Sequence, residues 1–292
     1  MPSDVIQWFP GHMAKTRRLM QECLGSVDLS IEILDARIPA SSRNPEIKKI
    51  LGAKPILTLL SKASLADPAA TEEWVAHQKA KGVLCLPYDA VTGEGMNALL
   101  PAVRSLLADK LAKYAEKGMA GRRIRAMVVG IPNVGKSTFI NHMAGSKKAK
   151  AENRPGVTVT KQWVSTSLGL DLLDMPGVLW PKFEDRLTGE NLAITGAIKD
   201  AVLHTDEIAM LLCGRLREDY PALFAERYKL TEEELRELDL YDLFLAVGRH
   251  RGMLMSGGVI DEDRTAKMLL EEFRNAKIGR ITLERPKGGN HA

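Results

Sequence analysis

Apolar positions fall into short continuous runs in the first part of the chain and into helical periods after residue 181. Three strand-length runs come early, at residues 29–34, 55–60 and 83–87, with helix-like stretches at 43–51 and 69–81 between them. Short apolar runs alternating with helices predict βαβ units and a mainly parallel sheet. One amphipathic helix is predicted over 96–117, with Leu99, Leu100, Val103, Leu106, Leu107 and Leu111 on its apolar side. A polar connection at 118–123 leads to a further buried strand at 124–129, which runs directly into a Gly-rich turn. Residues 162–168 and 170–173 read as two adjacent strands around Gly169. Beyond residue 181 the strand signal stops, and 188–212, 221–230, 231–248 and 261–276 all carry a helical period. Thr231 with Glu234 forms a capping box, and Pro221 suits a first helical turn. The expected architecture is an α/β domain over residues 1–182 followed by a small all-α domain over 183–292, with no internal repeat.

Composition adds bounds. The 292 residues are 45% apolar and 27% charged, as in an ordinary soluble globular protein. No apolar run approaches the roughly 20 residues that span a bilayer, and residues 1–7 lack the basic and apolar regions of a secretory signal. Cys23, Cys85 and Cys213 are far apart and form no CxxC pair, so buried free thiols are expected. A cytoplasmic monomer with no membrane partner is the expectation. The net charge of +4 is mild, but it is unevenly distributed. From Arg274 onward, Arg274, Lys277, Arg280, Arg285 and Lys287 face a single acid, Glu284. Lys15, Arg17 and Arg18 form a second basic group, and Arg122, Arg123 and Arg125 a third. Such groups are either solvated surface or contacts for a polyanion.

Candidate chemistry begins at the Gly-rich turn. Gly130-Ile-Pro-Asn133-Val134-Gly135-Lys136-Ser137-Thr138 matches G-x-x-x-x-G-K-[ST] with a predicted strand before it and a helix after it. Glycines let the backbone wrap an anion and aim N–H groups at phosphates, and the new helix adds its positive end. Lys136 is placed to reach β and γ phosphates, and the Ser137 hydroxyl to complete a Mg2+ shell. Asp174-Met-Pro-Gly177 ends a strand; Asp174 would hold Mg2+ through water, and the Gly177 N–H would sense a γ phosphate. Between them, Arg154-Pro-Gly-Val-Thr158 lies in a polar stretch. Thr158 is the candidate switch threonine, with Thr160 the structural alternative.

No Asn-Lys-x-Asp base-reading motif follows Gly177. Before the phosphate loop, however, Leu60-Ser61-Lys62-Ala63-Ser64 and Asp89-Ala90-Val91-Thr92-Gly93 each end an apolar strand. They resemble degenerate forms of the two guanine-reading loops of GTPases, here placed ahead of the phosphate half. That order resembles the circularly permuted GTPases. With Trp8-Phe-Pro-Gly-His12-Met-Ala-Lys15, the Asp35-Ala-Arg-Ile-Pro39 turn and Gly279-Arg-Ile-Thr-Leu-Glu284, essentially the whole chain resembles the ribosome biogenesis GTPase A (YlqF) family. The resemblance implies a GTP/GDP-binding, GTP-hydrolysing switch that assists late assembly of the large ribosomal subunit, with the precursor particle and its rRNA as partners. It also implies that His12 positions the attacking water and that Asn133 helps coordinate K+. The residue-level alternatives are a turn-capping His12 and a plain turn Asn133.

The departures from the family pattern are specific. Ser61 and Ser64 stand where Asn and Asp are usual, and Asp89 where Ser is usual. A serine cannot replace a charged, bidentate contact to guanine N1 and N2. Lys62 and the Ala90 N–H retain their expected roles against the base plane and the guanine oxygen. Guanine preference is expected to survive weakened, and Asp89 is a candidate for part of the missing role. Two rivals remain at this point: a binding-only assembly factor with little or altered-base hydrolysis, and an unrelated ATPase.

Overall fold

The computed structural model describes residues 10–145, 162–180, 183 and 185–286, with side chains from residue 14 onward. A six-stranded sheet orders the first part as β3-β2-β1-β4-β6-β5. Its strands are β1 (Leu29–Asp35), β2 (Ile56–Ser61), β3 (Leu84–Pro87), β4 (Ile124–Val129), β5 (Gln162–Ser165) and β6 (Leu170–Asp174). All neighbours are parallel except the β5–β6 pair. β1 is buried along its whole length, its two interior polar residues included: Ser30 donates to Met127 O and Glu32 pairs with Arg43.

Helices cover both faces. Met127 and Val129 of β4 pack with Met20 and Cys23 of α1 (Pro10–Cys23) and with Ile47, Ile50 and Leu51 of α2 (Pro45–Leu51). Ala126 and Val128 point the other way, into the main core. That core also receives α4 (Met96–Leu106), α5 (Ala108–Glu116) and α6 (Lys136–Ala144), and continues without a break into the C-terminal helices, while α3 (Pro68–Ala80) packs Trp74 against Leu34, Leu60 and Cys85 in a smaller cluster. Those are α7 (Arg186–Ile194), α8 (Thr205–Asp219), α9 (Pro221–Tyr228), α10 (Glu232–Glu237), α11 (Leu240–His250) and α12 (Glu262–Arg274). The Thr231–Glu234 capping box is present, with both reciprocal bonds made.

Three long predicted helices are broken. The helix expected over 96–117 divides at Leu107, which turns inward and is 2% exposed, so α5 runs on along the surface. The 188–212 stretch divides after α7, where Gly196 takes a φ of 78°. The 231–248 stretch divides at Asp239, whose side chain caps α11 through the Asp242 N–H. Helix α1 carried no sequence prediction; among its described side chains Thr16, Met20 and Cys23 are buried. All three cysteines are buried and free. Among the described residues no helix is long and apolar enough to cross a membrane.

After α12 the described residues form no helix. Residues 276–286 run back as a strap across the sheet domain, burying Ile278, Ile281 and Leu283. The C-terminal part is therefore helical only as far as Arg274. The strap also answers the charge reading of the tail. Arg274 bonds Asp200 and the carbonyls of Ile194 and Ala193, Arg280 bonds the carbonyls of Ala63 and Ala66, and Arg285 pairs with Asp67 and Glu73. Three of the five basic residues of the tail are thus bonded within the molecule; Lys277 is exposed, and Lys287 lies outside the described residues. The 122–125 group is similarly occupied, Arg122 over Tyr114, Arg123 on Asp171 and Arg125 over Trp163. Lys15 and Arg17 on α1 are exposed.

Candidate functional site

Strand order reverses between β1 and β4, since the chain adds β2 and β3 on one side and β6 and β5 on the other. At such a point the loops leaving adjacent parallel strands diverge, and a crevice opens at the carboxyl edge. Register brings the edge residues level: Asp35 faces Ser61, Leu60 faces Pro87, and Val128 faces Asp174. The two half-sites read from sequence therefore open on one edge.

The phosphate half is the loop between β4 and α6. Gly130 has a φ of 154°, and a Cβ there would lie 2.6 Å from Ile33 O, so the loop can leave β4 only without a side chain. Lys136 is buried and donates to Gly130 O at 3.1 Å and Ile131 O at 2.7 Å. Burial lowers its ammonium to about 8, against the opposing pull of Asp174. The lysine bonds two carbonyls and feels the Asp174 carboxylate, and a phosphate would add a further counter-charge. Gly177 closes the loop from the other side. A Cβ on it would sit 2.5 Å from Lys136 Nζ and 3.0 Å from Pro132 N. This cradle, with Ser137 at the start of α6 and Asp174 level with Val128 at the end of the β4–β6 register, fits a polyphosphate and its cation. Val134 is buried beneath the loop and Thr138 is exposed. Asn133 takes a φ of 57°, and its amide nitrogen donates to Gly196 O at 2.8 Å, tying the loop to the end of α7. Thr158 and Thr160 lie outside the described residues. His12 falls in the first turn of α1, and its side chain is likewise outside them.

The base half is held by side chains. Ser61 Oγ lies 2.6 Å from Val134 O and 2.9 Å from Leu34 O, so its single proton links the β2 loop to the phosphate loop. Lys62, at a φ of 58°, donates to Asp35 Oδ2 at 2.8 Å. Arg37 grips the same carboxylate with two nitrogens, at 2.9 and 2.8 Å. Burial would raise the Asp35 carboxyl, but Arg37 and Lys62 outweigh it and hold it well below the usual carboxylate range.

Ser64 and Asp89 meet directly. Ser64 Oγ donates to Asp89 Oδ2 at 2.5 Å and Ser64 N–H reaches the same oxygen at 3.2 Å, while Oδ1 accepts from Val91 N–H and Thr92 N–H. Burial works to raise this carboxyl, yet these bonds keep it lowered and ionised. With 2% exposure and both oxygens used, Asp89 anchors the two loops from behind Ser64; the base contact considered for it from sequence has no open oxygen to make it. His142 Nδ1 lies 3.0 Å from Ala90 O and steadies the same turn. Asp35 and Arg37 entered the sequence reading only as part of a turn; the available signal was an acid closing a buried strand two residues ahead of an arginine. A surface cleft of about 560 Å³ lies elsewhere, lined by Asp28, Lys54 and Lys110 below the opposite edge of the sheet.

Comparison with known proteins settles the family. Residues 125–244 match the family model described as 50S ribosome-binding GTPase. Ribosome biogenesis GTPase A of Bacillus cereus is 47% identical over 283 residues, covering 97% of this chain and 95% of that one. The chain belongs to the ribosome biogenesis GTPase A family. The Priestia megaterium member is 48% identical over 96% of this chain and 97% of its own length. Mitochondrial ribosome-associated GTPase 1 of Mus musculus is 33% identical over 97% and 91%. The GDP-bound structure of T. maritima YlqF superimposes with a TM-score of 0.66 at 25% identity, over 92% of this chain and all of that one. This GTPase therefore binds guanine nucleotide and hydrolyses GTP, and the unrelated-ATPase reading falls away; family membership does not favour the binding-only reading.

Two outcomes follow from the phosphate half. Gly177→Ala pushes a methyl against Lys136 Nζ, so GDP and GTP affinity should fall at least tenfold, about 1.4 kcal/mol, in a fluorescent-nucleotide titration. Unchanged affinity would mean that the close approach does not matter for binding. Lys136 is charged below about pH 8 and neutral above it in the free protein. Binding requires the charged form, so affinity should fall as pH rises past about 8, with proton uptake on binding. A flat profile between pH 8 and 10 would contradict the buried-lysine account.

Proposed function

We propose that this GTPase is a switch of late large-subunit assembly, docking on the precursor particle and its rRNA as the triphosphate form and leaving after hydrolysis. One observation carries the site assignment: Ser61 ties the guanine loop to the phosphate loop at Val134 O, so the two permuted half-sites form one cleft. Lys136 neutralises charge on the β and γ phosphates, the Gly177 N–H meets the γ phosphate, and Asn133, Val134, Gly135 and Thr138 cradle the chain of phosphates. Ser137 and Asp174, with Thr158, would hold Mg2+, which supplies charge neutralisation along the bridging oxygens. The Asn133 carbonyl oxygen is the candidate K+ ligand, its nitrogen being spent on Gly196. His12 orients the attacking water.

Base reading follows from the Ser64–Asp89 pair. Because Ser64 spends its proton on Asp89, its oxygen faces a base as an acceptor only. Guanine offers donors at N1 and N2, whereas adenine offers an acceptor at N1. The preference survives, weaker than a carboxylate would give. The Ala90 N–H meets the guanine oxygen, and Lys62, its ammonium on Asp35, lends its stem to the base plane. For rRNA, the α11–α12 region exposes Arg249, Arg264 and Lys267 beside Leu254, Met255 and Val259. The protein acts as a cytoplasmic monomer.

Turnover tests the switch. Large-subunit precursor particles should raise GTP hydrolysis by this chain, and His12→Ala should cut the stimulated rate at least tenfold, about 1.4 kcal/mol of barrier, with GTP affinity unchanged. No stimulation in the unmodified protein would favour the binding-only reading; full stimulation in His12→Ala would return that residue to a turn cap. The base loop has its own test. Ser64→Asp alone sets two carboxylates against each other and should weaken GDP binding. Adding Asp89→Asn keeps acceptors for Val91 and Thr92 and donates to the new acid, so the double variant should bind GDP tighter than the unmodified protein, by up to about 1.5–3 kcal/mol. ADP affinity should not change. Equal changes for both nucleotides would mean that this loop does not read the base.

A further inference from the structure

The strap that follows α12 does more than cover apolar surface. Its docking site is the stretch of backbone that bears Ser64. Arg280 Nε donates to Ala66 O at 2.8 Å and Arg280 Nη2 to Ala63 O at 2.8 Å, so one guanidinium spans the short 3₁₀ turn Ala63–Leu65 from both ends. Between these bonds, Ile281 N–H donates to Leu65 O at 3.3 Å. One residue further, Thr282 Oγ1 accepts from Asp67 N–H at 3.1 Å. The carbonyls of Ala63, Leu65 and Ala66 and the Asp67 N–H, on both sides of Ser64, are thus each tied to residues more than 200 positions away. The other neighbours of the turn are Lys62, in left-handed backbone at a φ of 58°, and Ser64 itself, held by Asp89. A non-glycine residue in that conformation is strained and persists only when its surroundings over-determine it. The strap supplies much of that determination.

We infer that Arg280 is a positioning residue for guanine recognition, and that the C-terminal strap is a structural part of the nucleotide site. The inference rests on the reading that the Ser61–Ser64 loop faces the base. Its reach is specific: none of the strap's described bonds is to the phosphate loop, so the strap should govern the base contribution to affinity and leave the phosphate contribution alone. Because the strap continues α12, the helical part and the guanine loop also become thermodynamically linked, and any partner that pulls on one must shift the other.

The test uses the full chain and compares GDP with ADP, which shares the phosphate contacts and lacks the guanine edge. Arg280 is exposed, so Arg280→Ala opens no cavity. GDP affinity should fall about tenfold, in line with the loss of one or two bonds to a charged group, while ADP affinity stays within about twofold. Arg280→Lys should recover part of the loss, since an ammonium can reach one of the two carbonyls. A parallel loss for GDP and ADP, or no loss for either, overturns the inference. Ser64→Ala in the same titrations separates the failures. If Ser64→Ala lowers the GDP-to-ADP preference and Arg280→Ala does not, the strap has no positioning role and the base reading stands. If neither variant moves the preference, the base reading itself fails and the strap's role fails with it. Loss of preference in Arg280→Ala supports the inference whichever way Ser64→Ala behaves.

Discussion

The buried carboxylate of Asp35 is the point on which the site's geometry depends. It closes β1 at the switch point, level with Ser61 of β2, and it gathers the Arg37 guanidinium, Lys62 and the Arg37 N–H onto its two oxygens. Arg37 is 1% exposed and makes further contacts, with Arg274 O through Nη1 and with the Phe273 ring. Its carbonyl accepts from Leu283 N–H of the strap. One carboxylate therefore fixes the guanine loop through Lys62 and the end of α12 through Arg37. A buried ion pair of this kind adds little net stability compared with apolar packing, yet losing one partner strands a charge and costs about 3–5 kcal/mol. Its contribution is specificity of arrangement: only one packing of the β1 turn, the base loop and the last helix satisfies all three charges.

The same logic explains how a permuted motif order yields an undivided site. Nucleotide contacts in this fold depend on which strand ends meet at the carboxyl edge, and chain order matters only through the sheet that it builds. Here the base loops follow β2 and β3 and the phosphate loop follows β4, and the Ser61 bridge to Val134 O closes the gap between them. Glu284 adds a second fastening, its carboxylate accepting from Ala40 N–H, Ser41 N–H and Asn191 Nδ2, so that the strap, the β1 turn and α7 share one group.

How much of this was legible in sequence depends on how local each signal is. The strands were legible because a buried parallel strand is a mostly apolar run. The phosphate loop was legible because its chemistry is carried by consecutive residues. Helix breaks at Leu107 and Asp239 were not, since periodicity continues across a residue that turns inward or caps the next helix. The tail was misjudged because counting charges cannot see their partners: Arg280 meets carbonyls of Ala63 and Ala66, which no composition records. Ser64 and Asp89 looked like two separate departures from the family pattern and are one hydrogen-bonded pair. Asp35 was visible, but its role comes from residues far along the chain.

The central claim is that guanine loop, strap and β1 turn move as one body, so that a base bound at one end is felt at the other. Amide hydrogen exchange measures this directly, because opening free energies report how tightly each segment is held. The amides of Ile281 and Leu283 donate to Leu65 O and Arg37 O, and they lie outside every nucleotide motif. GDP should slow exchange in the peptide that carries them, and ADP at equal saturation should leave it unchanged. Protection confined to the phosphate loop and α6 with both nucleotides would contradict the account.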